Sequence, residues 1–104
     1  GFEWVELHDG GRSVLAYRRK PKDTGDKLTV ICNFTPQAHH HYPIGVHEDG
    51  PYVEIFNSDD WQYGGSGIVN QGELNPKAWH ESVFPYVLDV LVPPLGVTIL
   101  KPAR

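Results

Sequence analysis

The sequence predicts an all-β domain, an antiparallel β-sandwich of Greek-key type with about seven or eight strands. Three observations carry this. Apolar and polar residues alternate over short runs. In Phe84–Val92, for example, Tyr86, Leu88, Val90 and Val92 share one face and Val87, Asp89 and Leu91 the other. Turn residues punctuate these runs, as at Asp9-Gly10-Gly11, Asp49-Gly50-Pro51 and Pro93-Pro94-Leu95-Gly96. No stretch repeats apolar residues at helical spacing beyond a turn or two.

Taken in order, Phe2–Leu7 alternates and reads as a first strand, closed by the hairpin turn His8–Gly11. Ser13–Arg19 is the second, followed by the polar loop Lys20–Lys27 with Pro21 and Gly25. Leu28–Phe34 is almost wholly apolar, as a central strand covered on both faces would be, and Thr35-Pro36 ends it. Gln37–His41 reads as a polar connection. Tyr42–Val46 is an edge strand, because Pro43 cannot donate into a ladder. Tyr52–Asn57 follows, and then a long loop to Asn75-Pro76 that holds Trp61, Tyr63 and the glycines 64, 65, 67 and 72. A polar stretch at Lys77–Val83 leads into Phe84–Val92, and Val97–Lys101 is the last strand.

The 104 residues suit one domain with its own core, spanning 1–104. With 9 basic and 13 acidic residues and no basic stripe, the charge balance argues against nucleic acid, and no such partner is expected. No apolar run reaches the ~18 residues that cross a membrane, so no membrane partner is expected. A single cysteine, Cys32, allows no internal disulfide, and its apolar neighbours suggest a small buried hydrophobe. These features fit the cytoplasm. The chain has no methionine, position 1 included, as expected of a processed protein or a piece of a larger one.

Few residues suggest chemistry. His39 and His41, with His47 nearby, invite a metal, but no carboxylate or cysteine pattern completes a ligand set, so none is assigned. Asp59 and Asp60, with Asp49, Glu54 or Glu73, could be imagined as an acid/base pair. Adjacent aspartates diverge, however, whereas carboxylate catalysis needs two groups ~5–9 Å apart across a cleft. Asp59, after Asn57-Ser58, is better suited to accepting backbone N–H bonds and fixing a turn. Gly64-Gly65-Ser66-Gly67 lacks any phosphate-loop frame. Trp61, Tyr63 and Trp79 could stack on sugar rings, cap the core or fill a contact with another domain.

Seven segments in order add up to a resemblance. They are GFEW (Gly1–Trp4), SVLAYRR (Ser13–Arg19), CNFTP (Cys32–Pro36), Tyr42-x-Ile44-Gly45-Val46, EIFNSD (Glu54–Asp59), YGGSG with Asn70 (Tyr63–Asn70), and VPPLGVTILKP (Val92–Pro102). Together they resemble the C-terminal all-β domain of bacterial 1,4-α-glucan (glycogen) branching enzymes, of the α-amylase superfamily, over essentially the whole chain. His39-His40-His41 and Pro43 depart from the usual pattern, as does Phe84-Pro85-Tyr86.

The resemblance implies an α-amylase C-terminal-domain-like sandwich that packs on a catalytic (β/α)8 barrel of the same parent chain. The parent would be a retaining glycosyltransferase of glycogen biosynthesis. It would cut an α-1,4 bond in an α-glucan polymer and form an α-1,6 branch, with no metal or other cofactor. None of the barrel's catalytic motifs is present here, so no catalytic residue is assigned. Asn57, Asp59, Trp61, Tyr63 and Trp79 become candidates for interdomain or glucan contact. The alternative is a freestanding carbohydrate-binding module. If the loop serves a contact outside this domain, Trp61 or Tyr63 should be exposed.

Overall fold

A computed structural model describes residues 2–6, 14–19, 27–79 and 83–103, with side chains described from Val14 onward. The turn expected at 8–11 and the loop at 20–26 lie outside the described residues. The strands are β1 (Phe2–Glu6), β2 (Val14–Arg19), β3 (Leu28–Asn33), β4 (His39–Val46), β5 (Tyr52–Asn57), β6 (Glu73–Leu74), β7 (Lys77–Ala78), β8 (Tyr86–Val92) and β9 (Gly96–Pro102). They form a six-stranded sheet ordered β1-β2-β3-β9-β5-β6 and a three-stranded sheet ordered β4-β8-β7. Every pairing is antiparallel. The chain crosses between sheets after β3, β4, β6 and β8, and the last crossing brings β9 back between β3 and β5.

Register explains the core. Ala16 pairs with Ile31, Ile31 with Thr98, and Thr98 with Asn57, so one row of side chains runs across four strands. Cross-strand partners share a face, and all four of these residues are buried. The opposing sheet contributes Tyr42, Ile44 and Val46 from β4 and Leu88, Val90 and Val92 from β8. The alternation foreseen in Phe84–Val92 is therefore the core-facing pattern of β8. Burial of each Val, Leu or Ile is worth roughly 1.5–3 kcal/mol, so this interlayer cluster is the main stabilising term.

Three local expectations change. β4 starts at His39 rather than Tyr42, because the triple-histidine stretch pairs with β8 from Val92 onward, across a register irregularity. It remains an edge strand, as Pro43 requires. The short strands β6 and β7 fall in segments expected to be irregular. β3 is central but buries only one face. Thr29, Ile31 and Asn33 are inside, while Leu28, Val30 and Cys32 are half-buried on the outer face. Phe34 falls beyond the strand and is 63% exposed.

The outer face of the six-stranded sheet is apolar. Leu15, Tyr17, Val30, Cys32, Val97 and Ile99 all lie half-buried on it. Phe56, paired with Ile99, extends it towards the loop.

The hydroxyl Oγ1 of Thr98 is buried and has no hydrogen-bond partner among the described residues. An unpaired buried hydroxyl costs about 1–3 kcal/mol, and an apolar group of the same shape removes that cost. Thr98→Val is therefore expected to stabilise the domain by about 1 kcal/mol. A denaturant midpoint that fell or stayed fixed would show that the hydroxyl finds a partner.

Candidate functional site: the loop between β5 and β6

The loop after β5 is built around side chains that replace a strand ladder. Ser58 first extends the β5–β9 pairing, donating its N–H to Val97 O at 3.0 Å and accepting Val97 N–H on Oγ at 2.8 Å. Asn57 Oδ1 takes Asp59 N–H at 2.8 Å, and its Nδ2 donates to Ile68 O at 3.1 Å and to Glu54 Oε1 at 2.9 Å. The chain then turns through a 3₁₀ turn, Trp61–Tyr63. Asp60 caps it by accepting Gln62 N–H, and Gly64 ends it at φ 82°.

Asp59 closes the loop, as its position predicts. Its carboxylate accepts Ser66 N–H at 3.2 Å, Ser66 Oγ–H at 2.7 Å and Ile68 N–H at 2.9 Å. Its carbonyl accepts Gly67 N–H at 2.8 Å. Partial desolvation raises its pKa, but the bonds from Ile68 and Ser66 outweigh this and hold the carboxyl below its ordinary value. Both oxygens are thus occupied by the loop's own donors, which suits a structural anchor and not a nucleophile.

The glycines have specific reasons. A Cβ at Gly65 would sit 2.1 Å from Asp59 O, so only glycine lets the loop fold back on itself. At Gly67, φ is +85° and a Cβ would stand 2.5 Å from the indole of Trp61. The Trp61 indole therefore lies against Gly67, while most of the side chain remains exposed.

Asn70 ties the loop to the opposite sheet. β7 is only two residues long, so beyond Val87 the outer edge of β8 lacks a strand. Asn70 takes that place, accepting Leu91 N–H on Oδ1 at 2.8 Å and donating Nδ2 to Leu91 O at 2.8 Å. Glu54 Oε1 accepts from both Asn70 N and Asn70 Nδ2 at 3.0 Å. Sequence reasoning placed Glu54 in a strand and in the EIFNSD segment and set it aside as an acid/base candidate, without foreseeing these bonds. Its place beside a β-bulge in β5, between Glu54 and Phe56, is what turns it towards Asn57 and Asn70, and no local pattern announces a bulge.

The loop therefore presents a fixed aromatic ledge. Trp61 is 74% and Tyr63 56% exposed, as expected of a loop serving a contact outside the domain. The Tyr63 ring lies 5.5 Å from that of Phe56, joining the ledge to the apolar outer face of the six-stranded sheet. Phe34 and Leu95, also exposed, sit at the same end, where Leu95 N–H donates to Thr35 O at 2.8 Å. Trp79 belongs elsewhere. It is half-buried and donates its backbone N–H to Pro85 O just before β8, at the other end of the strand from Leu91. The three aromatic candidates do not form one site.

The histidines make separate contacts. The His39 ring is 5.5 Å from that of Tyr42, His41 Nδ1 is 3.1 Å from Asp89 Oδ2, and the His47 ring is 4.9 Å from that of Phe84. Among the described residues no group of three or more His, Cys, Asp or Glu could hold a metal ion. Burial pushes the thiol pKa of Cys32 up, away from the reactive thiolate. No described helix is long and apolar enough to cross a membrane.

Comparison with known proteins matches residues 4–103 to the alpha amylase C-terminal all-beta domain. The chain is 50% identical over 101 residues to the 1,4-alpha-glucan branching enzyme GlgB of Trichormus variabilis, covering 97% of this chain and 13% of that protein. GlgB of a Nostoc species is 52% identical with the same coverage. GlgB of Oceanobacillus iheyensis is 46% identical over 103 residues, covering 97% of this chain and 16% of that protein. The chain thus spans 13–16% of the length of these relatives. A crystal structure of an alpha-amylase from H. orenii shares the fold at TM-score 0.50 and 20% identity, over 98% of this chain and 16% of that one.

Two outcomes are expected of the loop. Asn70→Ala strands the N–H and C=O of Leu91 and should cost about 1–3 kcal/mol in chemical denaturation. Asp59 has a folded pKa below its unfolded one, so its contribution is present above the unfolded value of about 3.9 and is lost as pH falls through the folded value. Hydrogen-exchange protection of the Ser66 and Ile68 amides should therefore fall with acid in that window, and Asp59→Asn should abolish the dependence. Acid sensitivity that survived in the variant would assign it to another group.

Proposed function

The chain belongs to the family of α-amylase C-terminal all-β domains, and on that premise we propose that it is the accessory C-terminal domain of a 1,4-α-glucan branching enzyme. Residues 1–104 form one sandwich of a multidomain parent. The parent cleaves α-1,4 bonds of an α-glucan and forms α-1,6 branches on a separate catalytic barrel. This domain packs on that barrel and contributes no catalytic group. Identities of 46–52% to branching enzymes over 97% of the chain support the choice of parent.

The observation that carries the packing role is the apolar outer face of the six-stranded sheet. Single exposed apolar residues are ordinary on a soluble protein, but a contiguous apolar face rimmed by exposed rings marks a contact. Leu15, Tyr17, Val30, Val97 and Ile99 form its centre, and Phe56, Tyr63 and Trp61 extend it. The loop's hydrogen bonds hold the rings in place before contact, so little conformational entropy is lost when they are covered.

Two measurements test this. The isolated chain should leave amylose unbranched, as read by the chain-length profile after debranching, and branching by the pure chain would overturn the accessory role. Val30→Lys should change the stability of this chain little, because the side chain already borders solvent, yet lower the unfolding temperature of the parent by several degrees. Equal effects in both would move the barrel contact to another face.

A second reading is favoured by Trp61. Its indole lies against Gly67 and the side chain is 74% exposed, which leaves ring surface of the kind that stacks on the C–H face of a sugar. A carbohydrate-binding module using Trp61 should be retarded in a glycogen-containing gel, and Trp61→Ala should restore free mobility. Unchanged mobility of the original chain would remove this reading.

A further inference from the structure

The outer face of the three-stranded sheet, on the far side of the sandwich from the proposed barrel contact, carries a groove of about 290 Å³. Its walls follow from strand register. Pro43 pairs with Asp89, and Lys77 with Val87, so residues of β4, β8 and β7 are brought onto one face. Asn75, in the connection between β6 and β7, closes one side. Pro43 and Val87 are apolar, while His41, Asn75, Lys77 and Asp89 supply polar groups around them. The Asp89 carboxylate is 3.1 Å from His41 Nδ1, and both side chains remain largely in solvent.

The chemistry of the lining limits the ligand. One ammonium and one carboxylate leave the groove with no strong net charge at neutral pH, so it offers little to an anion or a cation. It offers strong acceptors at Asp89, donors at Lys77, an amide that does both at Asn75, and an apolar surface between them. The complementary ligand is uncharged, carries hydroxyls that donate and accept, and has an apolar ring face. A pyranose meets all three conditions. Small ligands bind in concave sites that combine apolar walls with a few placed polar groups, and this volume lies just below their ~300–1,000 Å³ range. That suits a short saccharide segment.

We propose that the groove between β4, β8 and β7 binds a saccharide segment, seated on Pro43 and Val87, with its hydroxyls hydrogen-bonded to Asp89, Lys77 and Asn75. The site is separate from Trp61, which sits on the loop after β5. It stays open when the apolar face of the other sheet is covered. The proposal rests on the branching-enzyme reading only in taking an α-glucan as the first probe.

The test is calorimetric titration of this chain with maltoheptaose and, separately, with cellohexaose. Thermal unfolding checks that each variant is folded. Maltoheptaose is expected to bind saturably, with affinity falling about tenfold in Lys77→Ala and in Asp89→Asn, the effect of losing a hydrogen bond to a charged group. Trp61→Ala should leave this binding unchanged. Binding of cellohexaose alone, lost in the same two variants, would uphold the groove and count against the branching-enzyme reading. The groove proposal is overturned if neither oligosaccharide binds saturably, or if folded Lys77→Ala and Asp89→Asn bind like the original chain.

Discussion

A sandwich whose chain passes from one sheet to the other must expose backbone N–H and C=O groups at the crossing, next to a core that cannot solvate them. Here asparagine side chains meet that constraint. The buried Asn33 donates Nδ2 to Gln37 O at 2.8 Å and to Pro93 O at 3.0 Å, and accepts from Thr35 N–H at 3.0 Å and Thr35 Oγ–H at 2.7 Å. It thereby closes the crossing after β3 against the corner after β8. Asn57 and Asn70 do the same for the long loop. An amide side chain carries a donor and an acceptor, so it can replace a missing peptide partner in a way that neither a carboxylate nor an ammonium can.

The aromatic ledge depends on this framework. Trp61 and Tyr63 sit on a 3₁₀ turn held by Asp60 and Gly64, and that turn is anchored through Asp59 to Ser66 and Ile68. Asn57 and Asn70 then fix the loop to β5 and β8. Exposed rings on a loose loop would lose rotamer and backbone freedom on every contact. Rings on a hydrogen-bonded loop lose much less. The Gly, Asn, Asp and Ser residues of this stretch thus hold the aromatic rings in a hydrogen-bonded frame.

The two outer faces of the sandwich differ for a physical reason that bears on function. On the six-stranded sheet the outward positions of β2, β3 and β9 are Leu15, Tyr17, Val30, Cys32, Val97 and Ile99. On the three-stranded sheet the outward positions include His41, Pro43, Asp89 and Lys77. One face gains by leaving water and the other by staying in it. A domain with this asymmetry is suited to being covered on one side only.

Much of the fold was legible from local pattern. Period-2 alternation named the strands, Tyr52–Asn57 fell on the observed bounds, and Pro43 placed its strand at an edge, because each of these depends on neighbours in sequence. The order of its motifs pointed to the family, and Asp59 could be read as a turn anchor from its Asx-Ser-Asp setting. The partners of Glu54, Asn33 and Asn70, the inclusion of His39–His41 in β4, and the separation of Trp79 from Trp61 were not legible. They are set by a bulge, by strand register and by sheet crossings between residues distant in the chain. Local sequence decides which residues form strands and which turn. Which side chains meet across the two layers, and which apolar face is left outside the core, is decided only when the sheets pack, because pairing between distant strands has no local signature.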